Sequence, residues 1–160
     1  MDALFQTQSN ELSTTTQKEK LFKDAERQWN TLSTEKGAPG RKVDFEIYKS
    51  ILYNLEIRKV YLDSKLSLEK FSSIVGTNTT YLSNAVNNYF GCNFKRLINS
   101  YRVVRAKELL DGKDCSVNEL FSRCGFASKS VFYVAFRKVV GMTPLQYISQ
   151  SRNPFMIQRN

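Results

Sequence analysis

Apolar positions recur at helical spacing from residue 44 onward, and glycines punctuate them. Phe45, Tyr48, Ile51 or Leu52, Leu55 and Leu62 step along one side, with only Lys59 off the pattern, which predicts a long amphipathic helix from Asp44. Ser67 suits the N-cap of a helix over Leu68–Val75, and Gly76 stops it. Asn78 caps the next helix, Thr79 through Tyr89, with Leu82, Val86 and Tyr89 or Phe90 inward and Gly91 at its close. Asn93 caps a long helix carrying Phe94, Leu97, Ile98, Tyr101, Ala106, Leu109 and Leu110, ended by Gly112.

The same device returns at 116–140. Ser116 and Glu119 stand at capping-box spacing. Leu120 and Cys124 form an apolar side, Gly125 supplies the left-handed turn, and Phe126 plugs the angle between two helices. Ser128 caps a helix with Phe132, Ala135, Phe136 and Val139 or Val140 on one side, closed by Gly141. In Thr143-Pro144-Leu145-Gln146 a Thr cap, a Pro at the first helical position and a Gln at the third open another helix. The prediction is all-α: two helix-turn-helix subdomains joined by a long connecting helix. The first spans about 67–91, the connecting helix about 93–111 and the second about 116–141, within a domain at 45–152 followed by a tail at 153–160. The matching flanks of Gly76 and Gly125 read as a duplicated unit.

Residues 1–44 read differently, as a polar arm. Residues 1–16 show no sustained period and suit a flexible leader. A helix over Gln17–Ser33 is possible on Leu21, Ala25, Trp29 and Leu32, and Lys36–Arg41 is a linker by its Gly and Pro. By composition the arm suits a mobile tail. A linker from a sensor or ligand-binding domain upstream, or a docking or dimerisation helix, are the other readings.

Charge sharpens the picture. The net charge is +9, yet residues 1–44 hold seven basic and seven acidic side chains, so the whole excess lies in residues 45–160. After Glu119 no acid follows, while Arg123, Lys129, Arg137, Lys138, Arg152 and Arg159 do. A basic domain beside a neutral arm points to nucleic acid. No apolar run approaches the roughly 20 residues of a membrane span, and the N-terminus lacks a signal-peptide pattern. The chain has no His, and Cys92, Cys115 and Cys124 are scattered, which argues against a zinc site or a His-activated nucleophile and for reduced thiols in a cytoplasmic protein. No phosphate-binding Gly loop is present, and no cofactor or catalytic residue is expected.

The exposed faces carry the candidate chemistry. No charged residue occurs between Lys70 and Lys95, and the outward positions of the Thr79–Tyr89 helix are Thr80, Ser83, Asn84 and Asn87. Short neutral donors and acceptors suit base edges in the major groove, and Asn bonds adenine in bidentate fashion. In the second unit the exposed positions are Lys129, Ser130, Tyr133 and Val134, where Lys reaches guanine and Val134 or the Tyr133 ring meets a thymine methyl. Tyr133 also suits packing beside Phe132. Lys95, Arg96, Arg137 and Lys138 suit phosphate contacts, which position a protein without reading sequence. Arg102 and Arg105 suit bundle salt bridges, with Glu108 for instance, as well as they suit DNA.

The ordered run Gly125-Phe126, Ser128, Phe132, Phe136-Arg137-Lys138 and Gly141-Met142-Thr143-Pro144 with Tyr147 resembles the second helix-turn-helix of the AraC/XylS family of transcription regulators. The resemblance extends over roughly 45–150, through Leu66-Ser67-Leu68-Glu69, Ser72, Gly76, Tyr81-Leu82-Ser83, Gly91, Arg102 and Ala106. Phe121 departs from it, since the family has a small residue at that helix crossing, where the first copy has Ser72. The resemblance implies a sequence-specific, double-stranded DNA-binding domain of a bacterial transcription regulator, acting with RNA polymerase. Its base-reading positions fall on Thr79, Thr80, Ser83 and Asn84, and on Lys129, Ser130, Tyr133 and Val134. Each recognition helix is implied to enter one of two adjacent major-groove segments. The alternative is a basic helical module that binds an acidic protein or RNA without reading DNA sequence. A third reading, a repair protein with a reactive Cys, is weakened by the absence of an activating His.

Overall fold

The computed structural model describes residues 16–31, 42–113 and 115–152, and every regular element among them is helical. The helices are α1 (residues 16–31), α2 (Lys42–Leu52), α3 (Leu68–Val75), α4 (Thr79–Phe90), α5 (Phe94–Asp111), α6 (Val117–Arg123), α7 (Lys129–Val140) and α8 (Pro144–Arg152). The 36–41 linker, the 153–160 tail and all of the leader but Thr16 lie outside the described residues. Two compact units result: one runs to Val60 and resumes over Ser67–Cys92, and the other comprises Tyr61–Leu66 and everything from Asn93.

In the first unit Ile51, Leu55, Phe71, Leu82 and Val86 are fully buried. Part of the arm joins this unit. Ala25 and Trp29 of α1 are buried with Tyr48 and Leu52 of α2, while Leu21, Phe45, Tyr89 and Phe90 pack around them. The Trp29 ring lies 4.7 Å from that of Tyr89 and 5.5 Å from that of Phe45. Such pairs contribute about 0.5–1.5 kcal/mol each beyond their area burial. Leu32 lies outside the described residues.

The helix expected from Asp44 to Leu62 is not continuous. It widens into a π-helical turn over Tyr53–Ile57, and Lys59 turns left-handed at φ 51°. Asn54 supplies a local reason: its buried side-chain amide donates to the Ser50 carbonyl at 2.9 Å, the acceptor an α-helical backbone would use there. A short 3₁₀ turn over Val60–Leu62 then buries Tyr61, leaving Leu62 exposed rather than inward.

The second unit is built on α5, which belongs to it by its own contacts. Val103, Ala106 and Leu109 of α5 pack with Leu120 and Cys124, with Phe126, and with Phe132, Ala135 and Phe136 of α7. Val140, not the exposed Val139, lies on the core side. Arg102 is buried as well: it donates to the carbonyls of Tyr61 at 2.7 Å and Asp63 at 3.0 Å, and its guanidinium lies over Phe126. Gly112 keeps a right-handed backbone, and the left-handed residue after α5 is Lys113, φ 57°.

Candidate nucleic-acid interface

Each unit contains one helix, a glycine turn and a second helix, closed by the same six-to-one hydrogen bond. Thr77 N–H donates to the Ser72 carbonyl and Phe126 N–H to the Phe121 carbonyl, both at 2.9 Å. Gly76 and Gly125 stand at φ 86°, so both turns are six-to-one Schellman closures. The carbonyls of Ser72 and Phe121 therefore have the same role, although Ser72 is buried and Phe121 only half-buried at the edge of its core. Asn78 then caps α4 through Tyr81 N–H at 2.8 Å, and Ser128 caps α7 through Val131 N–H at 3.3 Å. Gly91 and Gly141 close the two helices by bonds to Asn87 and Arg137.

With Asn78 set against Ser128, α4 and α7 correspond position for position, Thr79 to Lys129 and Asn84 to Val134. Leu82, Ala85 and Val86 are buried in α4, as are Phe132, Ala135 and Phe136 in α7. On the opposite side of α4, Thr80, Asn84, Asn87 and Asn88 are exposed, with Thr79 and Ser83 half-buried. On α7, Lys129, Ser130 and Val134 are exposed, whereas Tyr133 is half-buried with its ring edge-on to Phe132. Lys129 is not loose: its ammonium donates to Asn118 Oδ1 at 2.9 Å and lies 5.8 Å from the Tyr133 ring centre. Val131, which sequence reasoning passed over, is 46% exposed one turn from Val134, itself 59% exposed. Two outward valines at i, i+3 were the signal that could have found it.

Lys95, Arg96, Arg137 and Lys138 are exposed. Lys95 and Arg96 sit in the first turn of α5, and Asn93 Oδ1 accepts from Arg96 N–H at 2.9 Å. Arg105 pairs with Glu108 within α5 at 3.0 Å, whereas Arg102 is buried against the Tyr61 and Asp63 carbonyls. Cys124 is fully buried, and burial pushes its thiol up to about 12, which removes it as a nucleophile near neutral pH. Among the described residues no cluster of acids and cysteines has the makings of a metal site, and no helix is long and apolar enough to cross a membrane.

Two such units, each presenting a second helix that is apolar on one side and chemically varied on the other, define a double helix-turn-helix module of the DNA-binding class. Residues 71–150, half of the chain, match the family of helix-turn-helix domains. The chain belongs to this family in its AraC-type form, the DNA-binding domains of transcription regulators. It is 34% identical over 94 residues to the regulatory protein PocR of Salmonella typhimurium, covering 56% of this chain and 31% of that one. It is 28% identical over 124 residues to the melibiose operon regulatory protein of Escherichia coli, covering 76% and 40%. The chain thus spans well under half the length of these relatives. In structure it is similar to the C-terminal domain of AraT, a response regulator from Geobacillus stearothermophilus, with a TM-score of 0.58 and 28% identity over 66% of this chain and 84% of that one.

Proposed function

We propose that α4 and α7 are the two readers of one double-stranded DNA site, each taking a major-groove segment. The observation that carries this is the exposed side of α4, where Thr80 and Asn84 stand in a stretch without charge between Lys70 and Lys95. A helix face kept only for solvation gains nothing from excluding Lys and Glu, whereas base edges are read by short neutral donors and acceptors. In the first unit Thr79, Thr80, Ser83 and Asn84 read bases, with Asn84 suited to adenine. In the second, Ser130 and Val134 read directly, Val131 adds a second methyl-seeking side chain, and Lys129 and Tyr133 form a braced pair at the edge of the face. Lys95, Arg96, Arg137 and Lys138 bond phosphates. Successive major-groove segments on one side of DNA lie about 34 Å apart, so the site has two dissimilar blocks roughly one helical turn apart. RNA polymerase and a sensor domain upstream are the partners this role calls for.

Selection of bound duplexes from a random pool at about 150 mM salt tests the reading, because charge-only binding is weak there. Enrichment of a two-block motif is the expected result. Binding that vanishes as salt rises, with no motif, overturns it in favour of a basic module for an acidic protein or RNA.

A further inference from the structure

The core side of α4 is set by Leu82, Ala85 and Val86, but its flank is held by polar means. Asp44, in the first turn of α2, accepts hydrogen bonds from two tyrosines of α4. Tyr81 donates to Oδ1 and Tyr89 to Oδ2, the latter at 3.2 Å. An acid in a first helical turn has a reason of its own, since it offsets the positive end of the helix dipole. Glu46, two residues on and past the first turn, pairs within α2, with Lys49 at 2.9 Å. The Asp44 carboxylate instead reaches a different helix, and reaches it twice.

The spacing gives the contact its meaning. Tyr81 and Tyr89 are eight residues apart, about 12 Å along the helix. One carboxylate that takes both hydroxyls pins two distant points of α4 and so opposes rotation about its axis. A rotation of about 20° carries a side-chain tip, about 5–6 Å from the axis, through about 2 Å. Hydrogen bonds to bases tolerate far less than that. The clamp also adjoins the reading face: a cleft of about 210 Å³ is lined by Asp44, Tyr81, Asn84 and Asn88 together with Ala85 and Tyr89. Burial first, and then Asp44, push the Tyr89 hydroxyl up to about 12, so it remains a donor across the physiological range. Trp29 packs at a tilt against the same ring, joining α1 to the clamp. The second unit lacks the device. Val131 and Val139 occupy the positions of Tyr81 and Tyr89 in α7, and they are 46% and 47% exposed.

We propose that Asp44 is a positioning residue for DNA reading: through Tyr81 and Tyr89 it sets the rotation of α4 and hence which side chains face the bases. This rests on α4 being a reader.

The test repeats the random-duplex selection with the full chain and four variants, Asp44→Asn, Tyr81→Phe, Glu46→Gln and Asn84→Ala. Asn84→Ala identifies the block that α4 reads as the one whose preference it flattens. Asp44→Asn and Tyr81→Phe are expected to weaken preference in that same block roughly tenfold, the scale of a lost bidentate base contact, and to leave the other block intact. Glu46→Gln removes the same charge from the same helix and is expected to keep the wild-type motif. Tyr81→Phe keeps the ring and removes only the hydroxyl, which guards against simple unfolding, and circular dichroism reports helicity for each variant. An unchanged preference in the block that α4 reads, in Asp44→Asn and Tyr81→Phe, overturns the proposal. So does equal loss in both blocks, or loss that tracks helicity, because the bonds are then only scaffold. A wild-type selection without any motif removes the reader itself, an outcome distinct from a wild-type motif that the clamp variants leave unmoved.

Discussion

Gly76 and Gly125 share a backbone conformation but not an environment. A Cβ at Gly76 meets nothing within 4 Å, whereas one at Gly125 collides with the Tyr61 carbonyl and comes within 2.8 Å of the Leu62 Cα. Gly76→Ala therefore carries only left-handed strain, about 1–2 kcal/mol. Gly125→Ala adds overpacking against backbone that cannot swing aside, for about 2–5 kcal/mol in all. Urea unfolding of the two variants measures the difference, and equal costs would contradict the close approach. Both glycines were legible as turn residues from sequence. The crowding at Gly125 was not, because the atoms it meets lie more than sixty positions earlier in the chain. The same holds for Arg102, which reads as an ordinary basic residue until the carbonyls of Tyr61 and Asp63 are seen around it.

The helix caps make the case for elements. Ser67, Asn78, Asn93 and Ser128 each accept the backbone bond expected of them, and Thr143 and Gln146 form a reciprocal box at 3.2 and 2.9 Å. Ser116 is the exception. Glu119 N–H donates to its carbonyl at 3.2 Å in a tight first turn, and the Ser116 hydroxyl makes no capping bond. Thr143→Ala is thus expected to cost about 1 kcal/mol, while Ser116→Ala costs only a few tenths. Thermal denaturation of the two variants decides the matter, and a larger loss for Ser116→Ala would mean the capping box forms after all. Cap spacing was readable because it is local. The break after Ile57 was missed because period alone hides a side chain, Asn54, that competes for a carbonyl of its own helix.

For the whole molecule, charge is the quantity that matters. The +9 excess is confined to residues 45–160, and the candidate phosphate ligands Lys95, Arg96, Arg137 and Lys138 are all exposed. Each phosphate contact contributes about −0.9 to the slope of log affinity against log salt. Arg137→Ala and Lys138→Ala are each expected to reduce that slope by about 1 and to weaken all duplexes alike. A variant that instead changes which duplex is preferred would move that residue from the phosphate set to the base readers. At this scale Trp29 changes the standing of the arm. Its neutral, mixed composition resembles a tail, yet Ala25 and Trp29 complete the aromatic cluster against which the end of α4 rests.

The sequence by itself determined what depends on neighbours a few residues apart: the helices apart from the break after Ile57, the caps apart from Ser116, the glycine turns, the repeat and the exposed faces of α4 and α7. These follow from helical period and turn chemistry, which act locally. Only the tertiary structure decided the rest. It decided that Trp29 docks, that Asp44 holds Tyr81 and Tyr89, that Arg102 is buried, and that Lys129 is braced by Asn118. Each of these depends on groups brought together by packing, whose positions no local pattern encodes.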